Sequence, residues 1–528
     1  MMAQLFRVLK MKSPFISRVT RFCDYLTEGA IYFILVLSPW IFGSTLDWTI
    51  WLMNSVAYVI GAALVVKWAL RWRGARFDRE SRKSDPEGDP TLMRADLGEG
   101  SLGRGTGYLT WLLAGLTLFA LGYCLIGAIN ARATYRGWHL FTYHESIEWL
   151  PHSYDSKASW FTFWTCLGLG AVFWGTRDWL LHASKPARRS RSHSRSSAEA
   201  AAMEPETIRS ARHSVPTRLQ RLLWVLCING ALLGLEGILQ RLDGTSKLLW
   251  LIEPTRNNTA ESQFGPFAYR ANAASYINLI WPITLGFWFV LRAKSKESRR
   301  GPTRVGSGSH SILLPGAVLM ASCPIIATTR GGSTVAVLSL ALMGVILWRG
   351  SSRSPHWTKT AIVIFIILVL AFAGILGGKE LLGRFKNVFA DEMSGRPEIY
   401  KNAVEIAHEF PWLGTGAGSF GAIYQMYREP NQTWAGYAHD DWLEMRIDLG
   451  WIGFGAVVLM LMIIFARWFA GGGLPLPPVL ASAISLALAG SLLHAKFDFP
   501  FQIYSIQFLF VLLCAILFSS GRVNVRGE

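Results

Sequence analysis

Residues 360–377 read TAIVIFIILVLAFAGILG, eighteen residues without a charge. As an α-helix this stretch is about 27 Å long, close to the hydrocarbon thickness of a bilayer. A helix that is apolar all round is either a membrane span or deeply buried. Working outward from it, similar stretches recur near 27–44, 48–70, 107–128, 158–178, 220–241, 270–291, 311–328, 333–349, 449–468, 475–494 and 502–519. That makes twelve candidate spans. Composition agrees: of 528 residues 51% are hydrophobic and 16% charged, where soluble domains carry about 25% charged residues. The chain reads as an all-α integral membrane protein, one polytopic domain over 1–528. Secreted enzymes, cytosolic enzymes and disordered scaffolds are excluded.

The net charge is +17, with 52 Lys and Arg against 35 Asp and Glu. In a membrane protein the placement of the cations matters more than their sum. Lys and Arg are more than twice as frequent in one alternate set of loops as in the other. The rule that cytoplasmic loops carry the cations puts both termini in the cytoplasm. Two loops on that side, 71–106 and 184–218, are basic, polar and unable to bury a core, so they read as flexible linkers that can touch anionic lipid headgroups. No nucleic-acid-binding module is present in the pattern. Arg7, Lys10, Lys12, Arg18 and Arg21 precede the first span, without a clear cleavage site, which reads as an uncleaved helix. The six cysteines form no CxxC pair and suit buried small side chains rather than zinc.

The longest loop, 378–446, falls between spans nine and ten on the extracytoplasmic side and has apolar residues at helical spacing. It is expected to be partly helical and to carry the chemistry. Ser394-Gly395-Arg396-Pro397-Glu398 opens a helix: Ser394 suits the cap and Pro397 the first turn. Arg396 at that start opposes the helix dipole. A salt bridge and an anion clamp both explain it. The Gly414–Gly421 turn, with Gly416 and Gly418, permits a phosphate nest or simply a close turn; without a following Lys-Ser/Thr it is no Walker loop. His439-Asp440-Asp441-Trp442 opens the next helix, and a neutral His439 there suits a general base, although a lone His is more often structural. Adjacent Asp440 and Asp441 diverge on a helix and make a poor metal site.

Other polar residues gather at the same end of the spans: Glu236 with Gln240 and Arg241, Arg270 with Asn272 and Asn278, Arg330 in Thr328-Thr329-Arg330-Gly331-Gly332, and His494 with Asp498. An intramembrane carboxylate such as Glu236 is a functional candidate by default, expected to have an Arg partner. Several arginines at one face point to an anionic substrate.

In order along the chain, four segments resemble the O-antigen ligase and polymerase superfamily of bacterial envelope glycan enzymes. They are Phe264-Gly265-Pro266-Phe267-Ala268-Tyr269-Arg270-Ala271-Asn272, then Thr329-Arg330-Gly331-Gly332, then Ser394–Tyr400 with the Gly414–Phe420 turn, and finally His439-Asp440-Asp441-Trp442-Leu443 through Gly450. Pro39-Trp40-Ile41-Phe42-Gly43-Ser44 is similar to the family's first hairpin. Asp440 stands where the family usually has Asn, and Thr329 where it has Ser. The resemblance implies a glycosyltransferase of lipopolysaccharide or other polysaccharide biosynthesis in the bacterial inner membrane, working without metal or cofactor at the periplasmic face. Its partners would be a glycan on undecaprenyl diphosphate, a lipid or glycan acceptor and the surrounding lipids. By position, Arg330 and Arg396 would hold the diphosphate, Arg270 would be a third clamp, and His439 would deprotonate or orient the acceptor hydroxyl. Asn272, Glu236, Gly416, Gly418 and Asp440 complete the expected substrate contacts. Ligation to lipid A–core, chain polymerisation and transfer to protein are all compatible with these shared residues. A twelve-span transporter or flippase for a lipid-linked saccharide is the competing class, though no half-to-half repeat is visible. A non-enzymatic assembly partner is the third.

Overall fold

A computed structural model describes residues 2–83, 104–137, 140–182, 215–300, 308–351, 356–387, 396–432 and 434–522. Most of the two basic loops, 84–103 and 183–214, and the expected cap Ser394 lie outside the described residues.

Each of the twelve apolar stretches forms a helix. The first half of the chain supplies α1 (Met2–Trp40), α2 (Asp47–Lys83), α3 (Arg104–Ile129), α4 (Ser156–Leu181) and α5 (Thr217–Asp243). The sixth stretch is split into α6 (Arg270–Asn278) and α7 (Trp281–Arg300). Then come α8 (Leu313–Ile326), α9 (Arg330–Gly350) and α10 (His356–Ala373), which runs through a π-helical turn, Gly374–Gly378, into α11 (Lys379–Lys386). The ninth helix therefore continues past residue 378 into what the hydropathy pattern assigns to a loop. Outside the apolar stretches lie α12 (Arg396–Glu409) and α13 (Phe420–Tyr427), and the last three spans are α14 (Asp441–Arg467), α15 (Pro478–His494) and α16 (Tyr504–Ser519).

Among the described residues, seven helices are long and apolar enough to cross a membrane, and three more apolar ones are shorter. The expectation of twelve full-length spans is thus met by seven on length and apolarity. The difference has a packing reason. Every residue of α16 except Gln507 and Val511 is buried, so protein rather than lipid surrounds this short helix. The exceptions α1 and α4 carry ionisable residues within their apolar stretches, Asp24 and Glu28 in one, Arg177 and Asp178 in the other.

Those charges meet. Lys67 Nζ lies 2.6 Å from Asp24 Oδ1 and 2.5 Å from Asp178 Oδ2. Arg71 is 2.5 Å from Asp178, and Arg218 is 2.9 Å from Asp24. Four helices are stapled by this network, about 27 Å along α1 from the α1–α2 turn. At that turn Phe42, Gly43 and Ser44 all have left-handed backbones, φ 51°, 68° and 53°. A Cβ on Gly43 would stand 2.8 Å from the Phe267 ring, so glycine is required there for both conformation and space.

At the turn's end of the bundle a second, smaller core forms outside the spans. Ala403, Ile406 and Ala407 from α12 pack against Phe420, Ile423 and Tyr424 from α13 and Ile447 from α14. These α12 residues account for part of the apolar helical spacing noted in the loop 378–446. A short antiparallel hairpin, β1 (Ala133–Gly137) with β2 (Leu140–Tyr143), borders it and was not legible in the hydropathy pattern.

Candidate active site

Among the described helices four begin with an arginine, and three of those starts face one cleft. Arg270 is the first residue of α6, Arg330 of α9 and Arg396 of α12. All three line a cleft of about 490 Å³ together with Arg384, His439 and Asp498. Each helix start already carries partial positive charge from its unpaired N–H groups. A cation placed there opposes the dipole, so the cleft concentrates positive charge at a cost to each helix.

Local packing explains how the arginines are held. At the start of α9, Thr328 takes a left-handed φ of 56°, and Ser333 Oγ donates to the Pro324 carbonyl at 2.9 Å. Gly331 and Gly332 follow because α9 starts against its neighbours: a Cβ on Gly332 would lie 2.5 Å from Ala274 of α6, and one on Gly331 3.2 Å from the His494 ring of α15. Arg330 Nε then donates to the Arg384 carbonyl at 3.0 Å, joining α9 to α11. Arg270 is the one residue of α6 that is not buried, and its Nη1 donates to the Glu261 carbonyl at 2.5 Å. Arg396 Nη1 donates to the Phe497 carbonyl at 2.7 Å, with Nη2 3.8 Å from Asp498 Oδ2. Mostly carbonyls, not carboxylates, position these guanidinium groups. Among the described residues of the cleft Asp498 is the one carboxylate, set against four arginines.

His439, Asp440 and Asp441 together grip the turn between α15 and α16. Asp440 caps α14 by accepting from Leu443 N at 3.1 Å, and its other oxygen lies 2.5 Å from Lys496 Nζ. Asp441 accepts from Phe501 N at 2.8 Å. His439 Nδ1 is 3.3 Å from Asp498 Oδ1. The His439 backbone is left-handed, φ 54°, with its carbonyl accepting from Tyr400 Oη at 3.1 Å. Strain of this kind persists only where surrounding contacts impose it. Burial pushes the Asp498 carboxyl up, but the His439 hydrogen bond and the Arg396 and His494 charges outweigh it and hold the group below its ordinary value. An ionised Asp498 only accepts, so in this contact Nδ1 is the donor. Tyr269 Oη also donates to Asp498, at 3.2 Å.

The structure brings four of the expected residues, Arg270, Arg330, Arg396 and His439, into one cleft and places the others elsewhere. Asn272 lines an adjoining chamber. Asp440 is buried in its cap and lysine contact, away from the cleft. Gly416 and Gly418 serve close packing: a Cβ on Gly416 would lie 2.4 Å from Ser153, and one on Gly418 2.5 Å from Thr162. Gly418 N donates to Asp448 Oδ2 at 2.7 Å, so this turn binds its own carboxylate. The two carboxylate oxygens of Glu236 are buried without a hydrogen-bond partner among the described residues. The expected Arg241 partner instead donates to the carbonyls of Ala260, Glu261 and Ala327. Arg384 was not foreseen: it follows a span in Lys379–Lys386, and basic residues after a span ordinarily signify only its end. Asp498 was visible as a polar residue, but its partner is 59 positions away.

Among known proteins, residues 315–458 match the family model described as O-antigen ligase. The matched segment holds Arg330, Arg384, Arg396 and His439, while Arg270 and Asp498 fall outside it. No curated protein sequence matches the chain. The membrane-length helices and the matched segment agree on one description: the chain is a multi-pass helical membrane protein with a segment, 315–458, that is similar to the O-antigen ligase family.

Proposed function

We propose that the protein transfers a glycan from a polyprenyl diphosphate to a hydroxyl acceptor at the extracytoplasmic face of the membrane, with twelve spans and both termini in the cytoplasm. The observation that carries this reading is the cleft with four arginines, three of them at helix starts, beside a His–Asp pair. A diphosphate leaving group gains charge as its bond to the sugar breaks. Preorganised guanidinium and helix N–H groups stabilise that charge without reorganising.

In the step itself the acceptor oxygen forms a bond to the anomeric carbon and the carbon–oxygen bond to phosphorus breaks. The electron pair leaves with the diphosphate, and the acceptor proton passes to His439 Nε2. Asp498 keeps the imidazole in the tautomer that can receive it and stabilises the imidazolium that results. The residues suffice for this chemistry without a metal. Both ligation and polymerisation use the same step and differ in the acceptor.

The test is reconstitution in lipid with an undecaprenyl-diphosphate oligosaccharide, candidate acceptors and EDTA. Wild type is expected to release undecaprenyl diphosphate, and Arg396→Ala and His439→Ala to be slower by about a hundredfold or more at equal folded amounts. A requirement for added metal overturns the mechanism. Movement of the intact lipid-linked sugar across the bilayer without release overturns the reaction.

A further inference from the structure

A second chamber of about 680 Å³ adjoins the arginine cleft, and the two share Tyr269 and His439. Their chemistry differs. The first presents four arginines and one carboxylate. The second has a single arginine, Arg256, and a single carboxylate, Glu398, among aromatic rings and amides. Between them stands a stack of three rings: Phe499 lies face to face with Tyr269 (5.4 Å, 4°) and with Tyr437 (4.7 Å, 21°). The His439 ring meets Phe499 edge-on at 4.8 Å. Trp434 is fixed in the far wall by its Nε1–H, which donates to the Gly421 carbonyl at 3.0 Å. Arg256 lies over the Trp434 ring, 5.7 Å from its centroid, and Phe499 covers one face of Tyr437, yet Trp434 and Tyr437 remain 41% and 40% exposed. Asn272 and Asn257 add amide groups to the lining.

We infer that this second chamber is the acceptor subsite, and that it takes the end of a saccharide bearing hydroxyls and no phosphate. The inference rests on the proposed transferase reading and adds direction to it. Apolar platforms with a few fixed polar groups suit the amphipathic faces of sugar rings. A balanced pair of charges gives a phosphate no advantage, whereas the neighbouring cleft gives a large one. The diphosphate therefore sits among the arginines and the attacking hydroxyl comes from the Trp434 side. His439, common to both chambers, receives the proton between them. Attack and departure on opposite sides of the anomeric carbon invert it. Trp434 and Glu398 become the specificity-determining residues for the acceptor.

The experiment varies donor and acceptor independently in the reconstituted full chain, comparing wild type, Trp434→Ala, Trp434→Phe, Glu398→Gln and, as a control, Trp149→Ala at an exposed position outside both chambers. Trp434→Ala is expected to raise the acceptor KM about tenfold while the donor KM stays within about twofold, with Trp434→Phe recovering most of the loss. Glu398→Gln is expected to change which acceptor hydroxyl pattern is preferred. Equal rises in donor and acceptor KM, or an acceptor KM that Trp434→Ala leaves alone, overturn the assignment. A separate readout needs no turnover: saturation-transfer NMR on donor-free protein with neutral oligosaccharides of glucose, galactose, rhamnose and N-acetylglucosamine and their phosphate esters. Neutral sugars are expected to gain signal that Trp434→Ala removes. No signal from any of them overturns the subsite, whereas signal without transfer overturns only the transferase reading.

Discussion

Two clusters of cations and aspartates sit at opposite ends of the same bundle, and they are built on opposite rules. At one end Lys67, Arg71 and Arg218 meet Asp24 and Asp178 at 2.5–2.9 Å, charge against charge. At the other, four arginines face a cleft in which Asp498 is the one carboxylate among the described lining residues. Carbonyls hold those arginines, and three of them stand where the helix dipole is unfavourable. The first cluster sets two aspartates against three cations at contact distance. Among the described residues the second sets one carboxylate against four arginines, so its positive excess is larger. Identical residue types are thus fastened charge to charge in one place and held mostly by backbone carbonyls in the other.

The comparison breaks most sharply if the outer arginines prove structural. Arg330→Ala is expected to lower transfer about a hundredfold to a thousandfold with thermal unfolding in detergent nearly unchanged; a large fall in stability with normal rates per folded molecule would merge the two clusters into one class. Lys67→Met should do the reverse. Removing one partner from a buried pair costs about 3–5 kcal/mol, read as a lower unfolding midpoint, while the transfer rate of what remains folded is retained.

Asp498→Asn sharpens the boundary, because this carboxylate belongs to the outer cluster yet is paired. It should slow transfer about tenfold to a hundredfold, with acceptor KM little affected. Its folded pKa is depressed, so its contribution to stability is present above the unfolded value of about 4 and is lost only as pH falls through the lower folded value. Wild type should therefore hold the His439 contact at pH 5, checked by NMR of the imidazole. Gly416→Ala tests the remaining ambiguity. With Ser153 2.4 Å from the added Cβ and φ at 105°, it is expected to cost about 1–3 kcal/mol of stability and to leave donor KM alone. The smallest effect is on the stability of Arg396→Ala: taking a cation from a helix start gains about 0.3–1 kcal/mol, loss of the bond to the Phe497 carbonyl opposes it, and the unfolding midpoint should hardly move.

These contrasts also explain what was legible in the sequence. Apolar length is a local property, so all twelve helices could be read from runs such as 360–377. What decides a full span is less local: α16 is short because other helices surround it, and no window of its own residues says so. Arg396 at a helix start was legible because Pro397 marks that start, and Arg270 because an apolar span begins there, whereas Arg330 read as a turn residue ahead of a span at 333–349 and proves to be the first residue of its helix. Arg384 was hidden because its relevance depends on α11 leaning on α9. The glycines at 416 and 418 misled for a physical reason: a phosphate nest and a tight packing turn demand the same left-handed backbone. Asp440 misled similarly, since a buried cap and a substrate contact both favour a short carboxylate at that position. The aromatic partition assembles Tyr269, Tyr437 and Phe499 from three distant segments, and no spacing rule connects them.

The π-helical turn at Gly374–Gly378 lies where Gly377 meets α8 so closely that a Cβ would stand 2.7 Å from the Ile325 carbonyl oxygen. Each helical residue turns the chain by about 100°, so the extra residue in such a turn sets the azimuth of everything beyond it. Removing one residue from this stretch would swing Arg384 by that angle, away from Arg330. The fourth arginine is thus governed by chain length, not by side-chain identity, and a one-codon deletion within this uncharged turn is expected to remove it from the cleft.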